Sequence, residues 1–235
     1  MSPVNSIQYF LGANSPTGFY SLYDQLLPPE QASAIYILKG GPGCGKSTLM
    51  RRVAALAQEA GEPVEYILCS GDPDSLDAIL LPGKKAALVD GTAPHVVEPK
   101  YPGVVEQYIN LGKCYDHNGM EGLRTAIISC MRGYKGHYQR AYRCLDAAAE
   151  LMYDVRSTLD SDALEEKLSK RARGILDREL KPRKGAPAGT VKQRFLGAVT
   201  HRGQMCLWGT VECQCQRIYE LSDRYGLAQI GRAHV

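Results

Sequence analysis

The clearest pattern along the chain begins at Ala34-Ile35-Tyr36-Ile37-Leu38, a short apolar run with β-branched and aromatic residues that stops at a glycine cluster. Such a run predicts a buried strand with chemistry at its C-terminal end. From Lys46 the spacing becomes helical, since Leu49, Val53, Leu56 and Ala60 recur at three- and four-residue steps before Gly61 and Pro63 end the pattern. Residues 64–69 predict a second strand, residues 75–80 a short helix, and Ala86-Ala87-Leu88-Val89-Asp90 a third strand. Strand, helix, strand, short helix, strand is the alternation that builds a parallel sheet with right-handed crossovers.

Beyond Pro102 the period changes. Leu123, Ile127, Met131, Tyr134, Tyr138, Tyr142, Leu145 and Met152 mark a long amphipathic helix, weakened in the middle by Gly133 and Gly136. Ser161 can cap a second helix that runs to about Leu180, where Lys181-Pro182 stops it. The pair predicts a helical hairpin inserted in or appended to the sheet. The expected fold class is therefore α/β, a parallel sheet flanked by helices, and the GxxxxGK[ST] loop at residues 40–47 makes the expectation a P-loop NTPase fold.

Gly185-Ala186-Pro187-Ala188-Gly189 has the composition of a linker, and beyond it Phe195-Leu196-Gly197-Ala198 repeats Phe10-Leu11-Gly12-Ala13. The same offset superposes Gly203 on Gly18, Leu207 on Leu22 and Trp208 on Tyr23, and Ile218-Tyr219 echoes Ile35-Tyr36 after a small slip. The expected organisation is a nucleotide-binding core over 1–119, a helical hairpin over 120–184, a linker over 185–192 and the start of a second, divergent copy over 193–229. Residues 230–235, Ile230-Gly231-Arg232-Ala233-His234-Val235, are what the sequencing-adapter string ATCGGAAGAGCACACGTC encodes. They are expected to be an artefact on a chain that naturally continues past Ala228, and resequencing the locus tests this.

The chemistry centres on Gly40-Gly41-Pro42-Gly43-Cys44-Gly45-Lys46-Ser47, which fits GxxxxGK[ST] between a strand and a helix. Backbone N–H groups of such a loop wrap phosphate oxygens at a helix N-terminus, where the peptide dipoles favour negative charge. Gly43 and Gly45 permit backbone angles denied to other residues, Lys46 places an ammonium between β- and γ-phosphates, and Ser47 offers a hydroxyl to Mg²⁺. Thr48 follows with its own N–H near the α-phosphate. Asp90 ends a strand expected beside or near that of the loop, and its carboxylate is the candidate second holder of Mg²⁺.

No Glu follows Asp90, so the residue that orients water in many ATPases has no counterpart there. Thr92 and His95 are candidates to sense or polarise the γ-phosphate, with a hydrogen-bonded loop histidine as the plainer account of His95. Asp72 and Asp74, at the end of the second strand, could orient an acceptor or cap the next element.

Composition adds exclusions. With 235 residues, 44% apolar and 23% charged, the chain has the make-up of a globular protein with room for one full domain and part of another. A net charge of +3 is too small to imply a polyanionic partner. Basic residues concentrate between 167 and 184 but alternate with Glu165, Glu166, Asp177 and Glu179, which fits a solvated helix face and argues against nucleic acid. The 8 cysteines contain no CxxC pair, and Cys213 and Cys215, with His201 nearby in sequence, would lie on opposite faces of a strand, so no thiol-based metal site is expected there. Reduced thiols and the absence of a leader or membrane-length apolar stretch imply a cytoplasmic protein.

Taken together, Phe10-Leu11-Gly12-Ala13, Gly18-Phe19-Tyr20-Ser21-Leu22, residues 39–48 and Asp90-Gly91-Thr92-Ala93-Pro94-His95 resemble a family of bacterial P-loop ATPase-like proteins made of two tandem nucleotide-binding halves. The resemblance implies ATP as ligand. The second half departs from it, since Glu220-Leu221-Ser222-Asp223-Arg224-Tyr225-Gly226 contains no GK[ST]. The expected function is Mg²⁺-dependent ATP binding, with an ATPase that couples nucleotide state to the helices or to a protein partner. A kinase acting on a small-molecule acceptor and a non-hydrolysing nucleotide sensor are the alternatives.

Overall fold

The computed structural model describes residues 6–93, 97–159, 161–179, 191–215 and 218. In chain order the elements are β1 (Ile7–Tyr9), β2 (Gly12–Ser15), β3 (Gly18–Ser21), β4 (Ala34–Lys39), α1 (Lys46–Glu59), β5 (Glu65–Leu68), β6 (Leu76–Leu81), β7 (Ala86–Asp90), β8 (Glu106–Asn110), α2 (His117–Gly122), α3 (Arg124–Leu159), α4 (Asp162–Glu179), β9 (Gly197–Thr200), β10 (Gly203–Cys206) and α5 (Trp208–Gln214). Six strands form one sheet in the order β1-β5-β6-β7-β4-β8. All run the same way except β6, which is antiparallel to both neighbours.

Strand alternation fills both faces of this sheet. Ile35, Ile37, Ile67, Ala78, Leu80, Ala87 and Val89 face one core, which Tyr9, Leu11, Tyr23 and Leu26 close. Leu38, Leu68, Ile79, Leu81 and Leu88 face the other, against Met50 and Ala54 of α1. Period-two side chains that are apolar on both sides are what a covered, mostly parallel sheet requires.

The helix expected over 75–80 is instead β6. Every residue from Leu76 to Leu81 is buried, and a short run apolar on all sides has no period that separates helix from strand. The connections also decide its direction, because the residues between β5 and β6, and between β6 and β7, are too few for a parallel crossover. The register shifts between Ile67 and Leu68, which pair with Ala78 and Leu76, so Asp77 is the extra residue of a bulge in β6. That carboxylate is buried and accepts a hydrogen bond from the Tyr23 hydroxyl at 2.7 Å.

The two long helices occur where the period placed them. α3 passes unbroken through Gly133 and Gly136, and Ser161 Oγ accepts a hydrogen bond from the Leu164 N–H at 3.3 Å at the start of α4. No residue of α3 is buried, although its pattern is amphipathic. It is anchored to the rest by tyrosines: the Tyr142 hydroxyl donates to Asn14 Oδ1 at 3.1 Å, and the Tyr138 hydroxyl lies against Gly71 so closely that a Cβ there would come within 2.4 Å of it. The proposed linker over 185–189, the Lys181-Pro182 stop and residues 219–235 lie outside the described residues.

The repeated tetrapeptide is a repeated structure. β2 and β3 form an antiparallel hairpin pairing Gly12 with Ser21 and Ser15 with Gly18; β9 and β10 form another pairing Gly197 with Cys206 and Thr200 with Gly203. An offset of 185 maps each pair onto the other, and also maps the Leu22 N–H to Leu11 O bond (2.7 Å) onto the Leu207 N–H to Leu196 O bond (2.8 Å). The two copies meet at their equivalent phenylalanines. Phe10 N–H donates to Phe195 O at 2.8 Å and Phe195 N–H to Phe10 O at 3.0 Å, a reciprocal bridge of the kind a local two-fold relation produces.

Candidate functional site

Residues 40–45 join the C-terminal end of β4 to the start of α1, so the loop lies at the sheet edge where open α/β folds bind ligands. Gly45 occupies the N-cap position in the left-handed region (φ 89°) and no side chain caps the helix. Gly40 is needed for a different reason: a Cβ on it would fall 2.5 Å from Cys44 Sγ. The first N–H groups of α1, on Lys46, Ser47 and Thr48, have no partner within the helix by its geometry. Pro42, Gly43 and Thr48 are exposed, while Gly41, Cys44, Gly45 and Ser47 are half-buried. The result is a cradle of amide donors open on one side, which fits an anion.

Lys46 is buried, and its ammonium bonds the loop's own carbonyls, Gly40 O at 2.6 Å and Gly41 O at 3.0 Å. It also pairs with Asp90 Oδ2 at 3.5 Å. Asp90 reaches it because β7 lies directly beside β4, with Asp90 opposite Leu38. The other carboxylate oxygen, Oδ1, accepts from the Thr92 N–H at 2.8 Å and the Thr92 hydroxyl at 2.5 Å. Thr92 therefore orients Asp90. Ser47 Oγ accepts from the Leu76 N–H at 3.0 Å, which ties the helix start to β6. Its second lone pair remains open to a cation.

Asp72 closes the turn into β6, accepting from the Asp74 N–H at 3.3 Å and the Ser75 hydroxyl at 2.7 Å. Asp74 pairs with Arg202, and its carbonyl accepts from Arg51. Pro94, His95 and Val96 lie outside the described residues, so the His95 candidate has no geometry here. Among the described residues no group of three or more His, Cys, Asp or Glu side chains is placed to hold a metal ion. His201 Nδ1 lies 3.2 Å from Gly71 O, and the Cys213 thiol donates to Thr210 O at 3.3 Å.

Several participants carry no sequence signal. The Tyr115 hydroxyl accepts from the Gly41 N–H across 74 positions. Lys39, just before the loop, holds Gly91 O at 2.7 Å, Val97 O at 3.2 Å and Glu98 Oε1 at 2.6 Å, which fixes the start of the segment after Asp90. That bond, with one from Tyr108, holds the Glu98 carboxyl below its usual range.

Cys69, behind the Gly71 turn, has its thiol pushed up to about 12, chiefly by burial and then by the charge of Asp77. The reactive form of a thiol is the thiolate. At pH 8, iodoacetamide is therefore expected to modify Cys69 well after the exposed Cys130, Cys144 and Cys206, as followed by peptide mass mapping. Equal labelling rates would contradict the burial described here.

Fold and site together define an α/β protein with a six-stranded, mostly parallel sheet, compatible with a P-loop fold and with a GxxxxGK[ST] loop at its edge. Residues 21–175 match the family described as Nephrocystin 3, N-terminal, and the chain belongs to that family. No match is found among curated proteins or among solved structures. None of the helices among the described residues is long and apolar enough to cross a membrane.

Proposed function

We propose that this chain is a cytoplasmic P-loop protein that binds ATP with Mg²⁺ at residues 40–48 and hydrolyses it slowly, as one of two tandem halves of a P-loop ATPase-like protein. The observation that carries this is the meeting of three groups at one helix start. An uncapped α1 N-terminus, the buried Lys46 ammonium and Asp90 on the neighbouring strand converge where a polyphosphate would lie. Amides of the loop would hydrogen-bond the phosphate oxygens, and Lys46 would exchange its bonds to Gly40 O and Gly41 O for bonds to phosphate. Ser47 and Asp90 would hold the cation, which when bound neutralises charge developing on the phosphates.

One observation favours a second reading. Asp90 is followed by Gly91-Thr92, and Thr92 occupies one of its oxygens, so no carboxylate is provided there to orient a water. A nucleotide sensor that binds without turnover is consistent with that, whereas a kinase would turn over only with its acceptor present.

Calorimetric titration with ATP, with and without Mg²⁺, alongside a phosphate-release assay, separates these readings. Binding with slow release supports the ATPase, and binding without release selects the sensor. Absence of heat with either ATP or GTP would defeat both. Asp90→Asn is expected to leave metal-free ATP binding in place and to remove about tenfold of the affinity gained from Mg²⁺, the loss of roughly one charge-assisted contact. An undiminished Mg²⁺ effect in that variant would remove Asp90 from the site.

A further inference from the structure

The strand order gives the loop two different sides. β7, with Asp90, lies on one side of β4, and β8 lies on the other. The chain that leaves β8 makes a short 3-10 turn over Leu111–Cys114 and enters α2, crossing in front of the loop on the side away from Asp90. Between this segment and the loop is a cleft of about 570 Å³. It is lined by Gly43 and Gly45 on one wall and by Leu111, Tyr115, Asp116 and Met120 on the other.

Pockets of this size, mostly apolar with a few fixed polar groups, suit a small organic ligand. Three details narrow the choice. The Tyr115 ring is tethered by its hydroxyl to the Gly41 N–H, so an aromatic face is held beside the cradle. Met120 is 38% exposed and offers apolar surface that a flat ligand would cover. Asp116 supplies the one carboxylate of the lining; its Oδ1 accepts from the Gly119 N–H at 3.1 Å, while Oδ2 can accept from a ligand donor.

We propose that this cleft takes the purine base of the bound nucleotide, stacked on Tyr115 and presenting its exocyclic amine to Asp116. The inference rests on the nucleotide binding proposed above and adds where the base goes. A phosphoryl acceptor would have to meet the terminal phosphate on the Asp90 side, and the cleft is on the opposite side. A nucleoside leaving the phosphates in that direction reaches it.

The test compares ATP, ITP and inorganic tripolyphosphate, each with Mg²⁺, on the full chain by calorimetry. ATP is expected to bind at least about tenfold tighter than tripolyphosphate, the contribution of one stacked base. Tyr115→Ala and Met120→Ser should each remove part of that difference, while Tyr115→Phe, which keeps the ring but loses the hydroxyl bond to Gly41, retains more of it than Tyr115→Ala does. Met120→Ser removes apolar surface without adding charge beside the phosphates and leaves the Gly41 bond untouched, so its tripolyphosphate affinity should stay within about twofold of the parent. ITP, which lacks the amine, should bind more weakly than ATP, and Asp116→Asn, which can still cap α2, should narrow that gap. Equal affinity for ATP and tripolyphosphate in the parent chain overturns the proposal, as does retention of the full difference in both Tyr115→Ala and Met120→Ser. If neither ligand binds, the nucleotide reading itself falls and this one with it.

Discussion

Replacing Lys46 with methionine is expected to weaken binding of ATP with Mg²⁺ by about two orders of magnitude, roughly 3 kcal/mol. The side chain is buried and its ammonium already makes polar contacts to Gly40 O, Gly41 O, Cys44 Sγ and Asp90. Methionine keeps most of the stem, so the loss reads the charge and not a cavity. A hydrogen-bonded charge pair taken out of water costs several kcal/mol when one partner alone is removed, because the other is left facing a low dielectric. Asp90 is partly protected by its two bonds from Thr92. The stability of the free protein should therefore fall by less than the binding energy does. The double variant Lys46→Met with Asp90→Asn should regain part of that stability without regaining affinity. Urea unfolding and calorimetry on the same four proteins supply both numbers, and an unchanged ATP affinity in Lys46→Met would remove the loop from the site.

How much of this was legible follows from the range over which each signal acts. The loop, α1, β4 and β7 come from runs of adjacent residues, and each was readable; sequence alone puts β7 beside or near β4, and the direct pairing that brings Asp90 to Lys46 comes from the structure. β6 was not, because a segment buried on every side has no polar face to set a period. Its antiparallel direction could have been argued from the short connections on either side of it. Tyr115 could not have been found from sequence, since its role is a hydrogen bond to an amide 74 positions earlier. Asp77 was hidden by the same effect: a carboxylate inside an apolar strand makes sense only with the Tyr23 hydroxyl beside it. The repeat offset, in contrast, matched Phe10 with Phe195, but did not show that the two copies would be hairpins or would meet at a bridge between these residues.

That bridge carries the largest expected effect on stability. Phe10 is fully buried and packs in the same core as Met50, Leu68 and Ile79, under the face that α1 covers. Phe10→Ala keeps the backbone bonds to Phe195 and removes only the ring, so the expected loss of about 3–5 kcal/mol is that of a large core cavity. Against a total stability of about 5–15 kcal/mol for a natural domain, this is enough to leave a substantial unfolded fraction at moderate temperature. Arg202→Ala is the proper comparison at the same repeat, since it deletes the ion pair to Asp74 between two exposed side chains and should cost less than about 1 kcal/mol. Phe195→Ala should fall between them, because Phe195 is half-buried and one edge of its ring meets Tyr20 with centroids 5.9 Å apart. Urea midpoints at constant slope would rank the three. A Phe10→Ala midpoint no lower than that of Arg202→Ala would mean that the Phe10 ring is not packed in this core beside Met50, Leu68 and Ile79.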